Sequence, residues 1–150
     1  MLRAPGIEDR RVLATGLPEL QTSQYAFFAD ALGDDLAALA PPSARPLHLL
    51  FGEVAEEGSY VELLAAIMAA EWLYETCCAL VPDRPSGRDT IRAWVGLHTA
   101  GPFRTHAAWL HERLDAIAPG LSPLEHARIG SVFHRAIVAE VAFHDAAYHA

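Results

Sequence analysis

The stretch that decides the fold is AAIMAAEWLYETCC, residues 65–78, an apolar run that carries two glutamates, Glu71 and Glu75. Its apolar side chains recur at spacings of three and four residues, the period of an α-helix. Because the run is apolar nearly all round, we expect it to form the central, buried helix. A carboxylate there must find a partner or stay protonated, so the two glutamates call for an explanation.

The rest of the chain also has helical spacing, divided by segments rich in glycine and proline. The predicted helices cover residues 18–39, 47–55, 59–80, 88–99, 102–117 and 122–149. Residues 88–117 fit either two helices that meet at Gly101-Pro102 or one helix kinked there. No segment shows the alternation of a strand, so the sequence predicts one all-α domain over residues 1–150, a compact helical bundle.

Two of these helices begin with a serine that a glutamate follows three positions later, Ser59 with Glu62 and Ser122 with Glu125. This spacing is typical of a capping box, in which the two side chains satisfy the first backbone N–H groups of a helix.

The composition excludes several classes of function. The chain is 52% apolar with a net charge of −8, which argues against disorder and against nucleic-acid binding, since nothing concentrates positive potential. It contains no lysine, which excludes a lysine Schiff base and the lysine of a phosphate-binding loop. A small or cationic ligand is therefore the expected partner.

The location of the protein is predicted from its cysteines and its apolar runs. Cys77 and Cys78 are adjacent in a predicted helix and cannot form a disulfide framework, which favours the cytoplasm. The N-terminus lacks the apolar core of an export signal, and glutamates interrupt the longest apolar run. We therefore expect neither export nor a membrane span.

The residues best placed for chemistry are acids and histidines on helical stripes. Glu71 shares a face with Leu64 and Ile67, while Glu140 and His144 are one turn apart on the last helix, where they can share a ligand. The alternative for Glu71 is a structural acid paired with an arginine. A metal is also conceivable, with Asp145 and His149 as a second pair, but such a site needs ligands from other helices.

Several segments resemble the TenA family. They are FFADALG, PPSARP, SYVELLAAIMAAEWLYETCCAL, RAWVGLHTAGPFR and AEVAFHDAAY, and together they cover about residues 24–148, with residues 1–17 as an N-terminal extension. The resemblance implies a heme-oxygenase-like helical bundle and hydrolysis at the methylene of an aminopyrimidine, or thiamin cleavage. No cofactor is implied.

The resemblance also implies roles for single residues. Glu140 matches the carboxylate that holds the pyrimidine and acts as acid and base, and Tyr74 matches a pocket tyrosine. Ala70 stands where many members have a catalytic cysteine, which makes Glu71, one residue on, a candidate substitute. Further residues predicted to line the pocket are His98, Phe103 and His144, of which His98 replaces a tyrosine and His144 a tryptophan of the family. Helical spacing adds Glu75, which lies one turn after Glu71 and either flanks the same pocket or faces solvent.

The family's first two helices have no counterpart in the matched segments and are expected to be missing before residue 1. Their loss would expose apolar faces, so we expect a second copy of the chain to cover them, as a dimer or a tetramer.

The leading hypothesis is thus a shortened TenA-like protein that binds an aminopyrimidine or a related planar amine. Two others stay open: a catalytically degenerate helical scaffold that mediates assembly, and a metal-dependent oxidase on the same fold with carboxylate and histidine ligands from the last helix.

Overall fold

A computed structural model of the protein describes residues 6–32, 45–80 and 89–148. These ranges contain six α-helices, a single 3-10 turn and no strand, which confirms the all-α class. The helices are α1 (Ile7–Leu32), α2 (Arg45–Glu57), α3 (Tyr60–Leu80), α4 (Asp89–Thr99), α5 (Gly101–Ile117) and α6 (Pro123–Tyr148), with the 3-10 turn at Ala118–Gly120 between the last two.

Both predicted capping boxes form. At the start of α3 the backbone N–H of Ser59 donates to Glu62 Oε2 at 2.8 Å, and the N–H of Glu62 donates to Ser59 Oγ at 3.2 Å. At the start of α6 the N–H of Ser122 donates to Glu125 Oε2 at 2.7 Å, and the reciprocal bond measures 3.3 Å. These bonds satisfy N–H groups that have no partner within the helix.

The structure differs from the sequence-based prediction at the first helix. The predicted helix begins at residue 18, whereas α1 begins at Ile7, inside the predicted N-terminal extension, and continues through Gly16 and Pro18. A proline removes one hydrogen bond from a helix, and a helix of 26 residues can tolerate that loss. The predicted turn at Gly33 and nearly all of the proline-rich loop lie outside the described residues.

Residues 89–117 form two helices, not one kinked helix. The first ends at Thr99 and the second begins at Gly101, so Pro102 lies in the first turn of α5. A proline is well tolerated there, because the N–H that it lacks would have no partner inside the helix.

The chain divides into two compact units. The first contains the described residues of 45–73 and 109–148, and the second contains those of 6–32, 74–80 and 89–108. That the whole chain is a single TenA-like domain stays a prediction.

The core of the first unit lies where α2, the first half of α3 and α6 pack together. Its buried apolar residues are Leu50 and Val54 of α2, Ala66 and Ala69 of α3, and Val132, Ala136 and Ala139 of α6. A second cluster joins Leu64 and Met68 of α3 to Leu110 of α5. The alanines carry little side-chain bulk, so the backbones of neighbouring helices can approach closely.

In the second unit α1 packs against α4.

The central helix α3 is the one described helix that is long and apolar enough to cross a membrane. It carries Glu62, Glu71 and Glu75, and Leu64, Ala65 and Ala66 are buried in the protein. The core helix of a water-soluble protein has the same length and composition, so this property is weak evidence for a membrane span.

Candidate functional site

Glu140 is the most deeply buried of the predicted site residues, with 2% of its surface exposed. It lies on α6 immediately after Ala139, which belongs to the core of the first unit. Helical periodicity places it there, since the buried residues Val132, Ala136 and Ala139 recur every three or four positions. A carboxylate in this position is held in a fixed place by the packing around it, which suits a group that transfers protons.

His144 is one turn after Glu140, as predicted, and the two side chains approach each other. Its Nδ1 lies 3.9 Å from Glu140 Oε2 and 2.8 Å from the backbone carbonyl oxygen of the same residue. If the ring is neutral, Nδ1 carries the proton and donates to that carbonyl. With 39% of its side chain exposed, His144 forms the edge of this pair that faces solvent.

Glu71 is half-buried on α3, within the first unit, and its Oε2 atom is buried. The predicted helical stripe is present, because Leu64 on the same face is fully buried. Next to Glu71, the ring of Trp72 lies 6.2 Å from that of Phe133 on α6.

In the second unit the structure brings together three of the predicted pocket residues. The ring of His98 lies 4.7 Å from that of Tyr74 and 4.9 Å from that of Phe103, in both cases between centroids. His98 and Phe103 are buried, with 4% and 3% exposed. Glu75, one position after Tyr74, is half-buried and takes no part in these ring contacts.

Trp94 completes this cluster, and sequence reasoning did not name it as a site residue. Its ring lies 4.4 Å from His98 and 5.5 Å from Tyr74, and its carbonyl oxygen lies 2.8 Å from Nδ1 of His98. The signal was in the sequence, because Trp94 precedes His98 by four residues and so lies on the same face of α4.

The described residues thus place the predicted site residues in two groups. Glu140 and His144 contact each other in the first unit, and Tyr74, His98 and Phe103 contact one another in the second. The contacts that define these groups involve neither Glu71 nor Glu75. Two clefts are lined by residues of the first unit, and none of the seven predicted site residues lines either of them.

The metal hypothesis has no support in the described part of the chain. No group of three or more histidine, cysteine, aspartate or glutamate side chains there could hold a metal ion. His149, one of the candidate ligands, lies outside the described residues.

Comparison with known proteins gives one informative similarity. The chain is 29% identical over 127 residues to the aminopyrimidine aminohydrolase of Halalkalibacterium halodurans, an alignment that covers 81% of this chain. It spans 57% of that relative's length. No family model matches the chain, and no solved structure matches it significantly. The similarity to an enzyme of this name supports the resemblance to the TenA family that the sequence motifs indicate.

Proposed function

We propose that this protein is a TenA-like, heme-oxygenase-like helical protein that binds an aminopyrimidine and hydrolyses it in thiamin salvage. The similarity to an aminopyrimidine aminohydrolase over 81% of the chain supports this proposal, as does the all-α architecture. Within the chain, the observation that carries it is the buried carboxylate of Glu140 beside His144.

In this proposal Glu140 contacts the pyrimidine and serves as both base and acid. Water attacks the methylene carbon and loses a proton to the Glu140 carboxylate, and the bond from this carbon to the amino nitrogen breaks. The leaving nitrogen takes the proton back from Glu140, so that hydroxymethylpyrimidine and ammonia are released. Proton transfer by one placed side chain typically contributes a factor of about 10² to 10⁴ to the rate.

A covalent thiol route is not part of the proposal. Ala70 occupies the position at which many TenA proteins have a cysteine. Burial, and to a smaller extent the neighbouring Cys77, raises the pKa of the Cys78 thiol to about 11, so this thiol stays protonated at neutral pH.

The remaining predicted residues keep their proposed roles. We assign ring contacts with the planar ligand to Tyr74, His98 and Phe103, which already pack ring against ring. Glu71 stays a candidate catalytic residue in place of the missing cysteine, and we assign polar contacts to Glu75 and His144. Single alanine variants of these six residues, titrated with the pyrimidine, test each assignment separately.

The decisive experiment is mass-spectrometric detection of hydroxymethylpyrimidine after purified protein has been incubated with aminomethylpyrimidine and, separately, with thiamin. We expect product from the wild type and a loss of about 100-fold or more in Glu140→Gln, which keeps the shape of the side chain but cannot transfer a proton. Glu112→Gln, at an exposed glutamate of α5, is the matched control and should keep full activity.

Absence of product from the folded wild type with both substrates would contradict the proposed hydrolysis. Product formation that survives in Glu140→Gln would leave the reaction standing and remove Glu140 from its centre. Circular dichroism of each variant shows whether a loss of activity comes from the reaction or from unfolding.

A further inference from the structure

A polar cleft lies on the first unit, where the end of α2 and the start of α3 face α6. Its volume is about 270 Å³, enough for a small metabolite. The residues that matter for its chemistry are Val54, Glu57, Glu62, Arg128, Ser131 and Val132. None of them belongs to the proposed aminopyrimidine site.

A buried carboxylate fixes the orientation of Arg128 in this cleft. Glu62 is buried, and its Oε1 accepts a hydrogen bond from Arg128 Nε at 3.1 Å while its Oε2 accepts one from the Ser59 N–H at 2.8 Å. Burial raises the pKa of Glu62, but the hydrogen bonds from Ser59 and the charge of Arg128 outweigh that effect and leave it below its ordinary value. Glu62 is therefore a fixed anion at neutral pH.

Because Arg128 uses Nε for Glu62, its two terminal nitrogens remain available. No residue in the described part of the chain accepts a hydrogen bond from Nη1 or Nη2 of Arg128. Ser131 follows three positions later on the same face of α6, and its hydroxyl likewise has no partner among the described residues. The two terminal nitrogens of a guanidinium group and a nearby hydroxyl can together donate hydrogen bonds to the oxygens of a carboxylate.

The cleft also contains a carboxylate that can accept hydrogen bonds from a cationic group. Glu57, the last residue of α2, lines it and makes no ion pair with any residue that the structure describes. The other arginine of the cleft, Arg135, has both terminal nitrogens on Glu53, at 2.9 and 2.6 Å, and so has little capacity left for a ligand. The cleft groups that have capacity for a ligand among the described residues are therefore Arg128, Ser131 and Glu57, all of them exposed to solvent.

The charge balance selects between classes of ligand. Three glutamates and two arginines line the cleft, so a simple anion would meet a surplus of negative charge. A simple cation would make no use of the terminal nitrogens of Arg128, which would stay hydrated. A molecule that carries both charges satisfies both sides, with its carbon chain on Val54 and Val132.

We propose that this cleft binds a small amino-acid zwitterion, whose carboxylate contacts Arg128 and Ser131 and whose ammonium group contacts Glu57. The site is independent of the proposed hydrolysis, and its test needs no enzymatic activity.

The test is a titration of the purified, full-length protein with glycine, β-alanine and γ-aminobutyrate, followed by the chemical shifts of the backbone amides in NMR. Propionate and propylamine, which carry one of the two charges each, are the comparison probes. We expect at least one zwitterion to bind about tenfold more tightly than either of them, since a second charged hydrogen bond is gained. Which zwitterion binds best reports the spacing of the two charges.

Two substitutions locate the binding. Glu57→Gln removes the negative charge at an exposed position and leaves only a neutral amide oxygen for the ammonium group, and Arg128→Lys keeps a cation for Glu62 but loses the paired guanidinium nitrogens. Each should weaken zwitterion binding by about tenfold, the loss expected for one charged hydrogen bond. Glu56→Gln, at an exposed neighbour outside the cleft lining, should leave it unchanged.

Three results would overturn the proposal. They are no shift with any of the three zwitterions, equal affinity for propionate or propylamine, and binding that Glu57→Gln and Arg128→Lys leave intact. Circular dichroism shows that each variant is folded, so a loss of binding can be assigned to the cleft.

Discussion

Cys77 and Cys78 are adjacent in the sequence but differ in their surroundings, since Cys77 is exposed and Cys78 is buried. Burial, more than the neighbouring thiol, raises the pKa of Cys78 to about 11. Because the thiolate is the reactive form, we expect a thiol reagent at neutral pH to label one cysteine of the native chain quickly and both in denaturant. Equal labelling rates of the two cysteines in the native chain would contradict this. The fast phase of labelling should be absent in Cys77→Ser, which identifies Cys77 as the reactive site.

We expect Glu62 to make the stability of the protein depend on pH. Its pKa in the folded state lies below the ordinary value of 4.5, because hydrogen bonds from Ser59 and the charge of Arg128 outweigh the effect of burial. A carboxylate with a lowered pKa stabilises the folded state above its unfolded pKa, and this contribution is lost as the pH falls through its folded pKa.

We therefore expect the free energy of unfolding to differ most between the wild type and Glu62→Gln at neutral pH, and the difference to shrink below pH 4.5. Urea denaturation at a series of pH values measures it. Glu56→Gln is the control, because this exposed side chain makes no ion pair in the described part of the chain. A difference that stays constant with pH would show that Glu62 is not a stabilising anion.

At the residue scale, local spacing predicted some contacts and not others. Glu140 and His144 lie four positions apart on one helix, so their contact follows from helical geometry alone. The partner of Glu62 is 66 positions away, and no local pattern selects Arg128 among the eleven arginines of the chain. Such a pairing depends on how α3 and α6 pack, which a single sequence does not state.

Two glycines, one inside α2 and one directly after its end, form a matched pair for testing backbone effects. A Cβ at Gly52, inside α2, would meet no atom within 4 Å, whereas one at Gly58 would overlap the carbonyl oxygen of Val54. That oxygen already accepts the Gly58 N–H at 3.0 Å, so it cannot move away without loss of the bond.

We expect Gly52→Ala to stabilise the protein by about 0.5–1 kcal/mol, because alanine loses less backbone entropy in a helix. Gly58→Ala should destabilise it by at least about 1 kcal/mol, because backbone atoms must shift. The midpoints of urea denaturation compare the two variants directly. Equal effects would mean that the end of α2 adjusts freely.

At the scale of elements, strong capping signals predicted helix boundaries well. The helices after Ser59 and Ser122 begin within one residue of their predicted starts, because serine and glutamate at this spacing satisfy N–H groups that nothing else satisfies. The start of α1 was predicted eleven residues late, since Gly16 and Pro18 indicated a break that the helix passes through. Single helix-breaking residues predict a boundary less reliably than reciprocal caps, because a long helix stays stable when it loses one hydrogen bond.

At the scale of the whole molecule, the sequence predicted the all-α class but not which helix faces join. The core of the first unit depends on alanines of α3 and α6, and an alanine is compatible with a core or a surface position. The sequence could name Glu71, Glu140, Tyr74 and His98 as site residues from their chemical type. It could not show which of them are in contact, because contacts between helices depend on which faces pack together.

The predicted association of chains is the last property to test at this scale. Large apolar side chains are exposed on α2 and α6, among them Leu49 at 65%, Val138 at 54% and Val141 at 46%. Burying them against another copy would contribute about 25 cal/mol per Å². A net charge of −8 opposes this association, so we expect it to strengthen as salt screens the repulsion. Sedimentation over a range of protein and salt concentrations should reveal multiples of 16.3 kDa, and a monomer under every condition would refute the prediction.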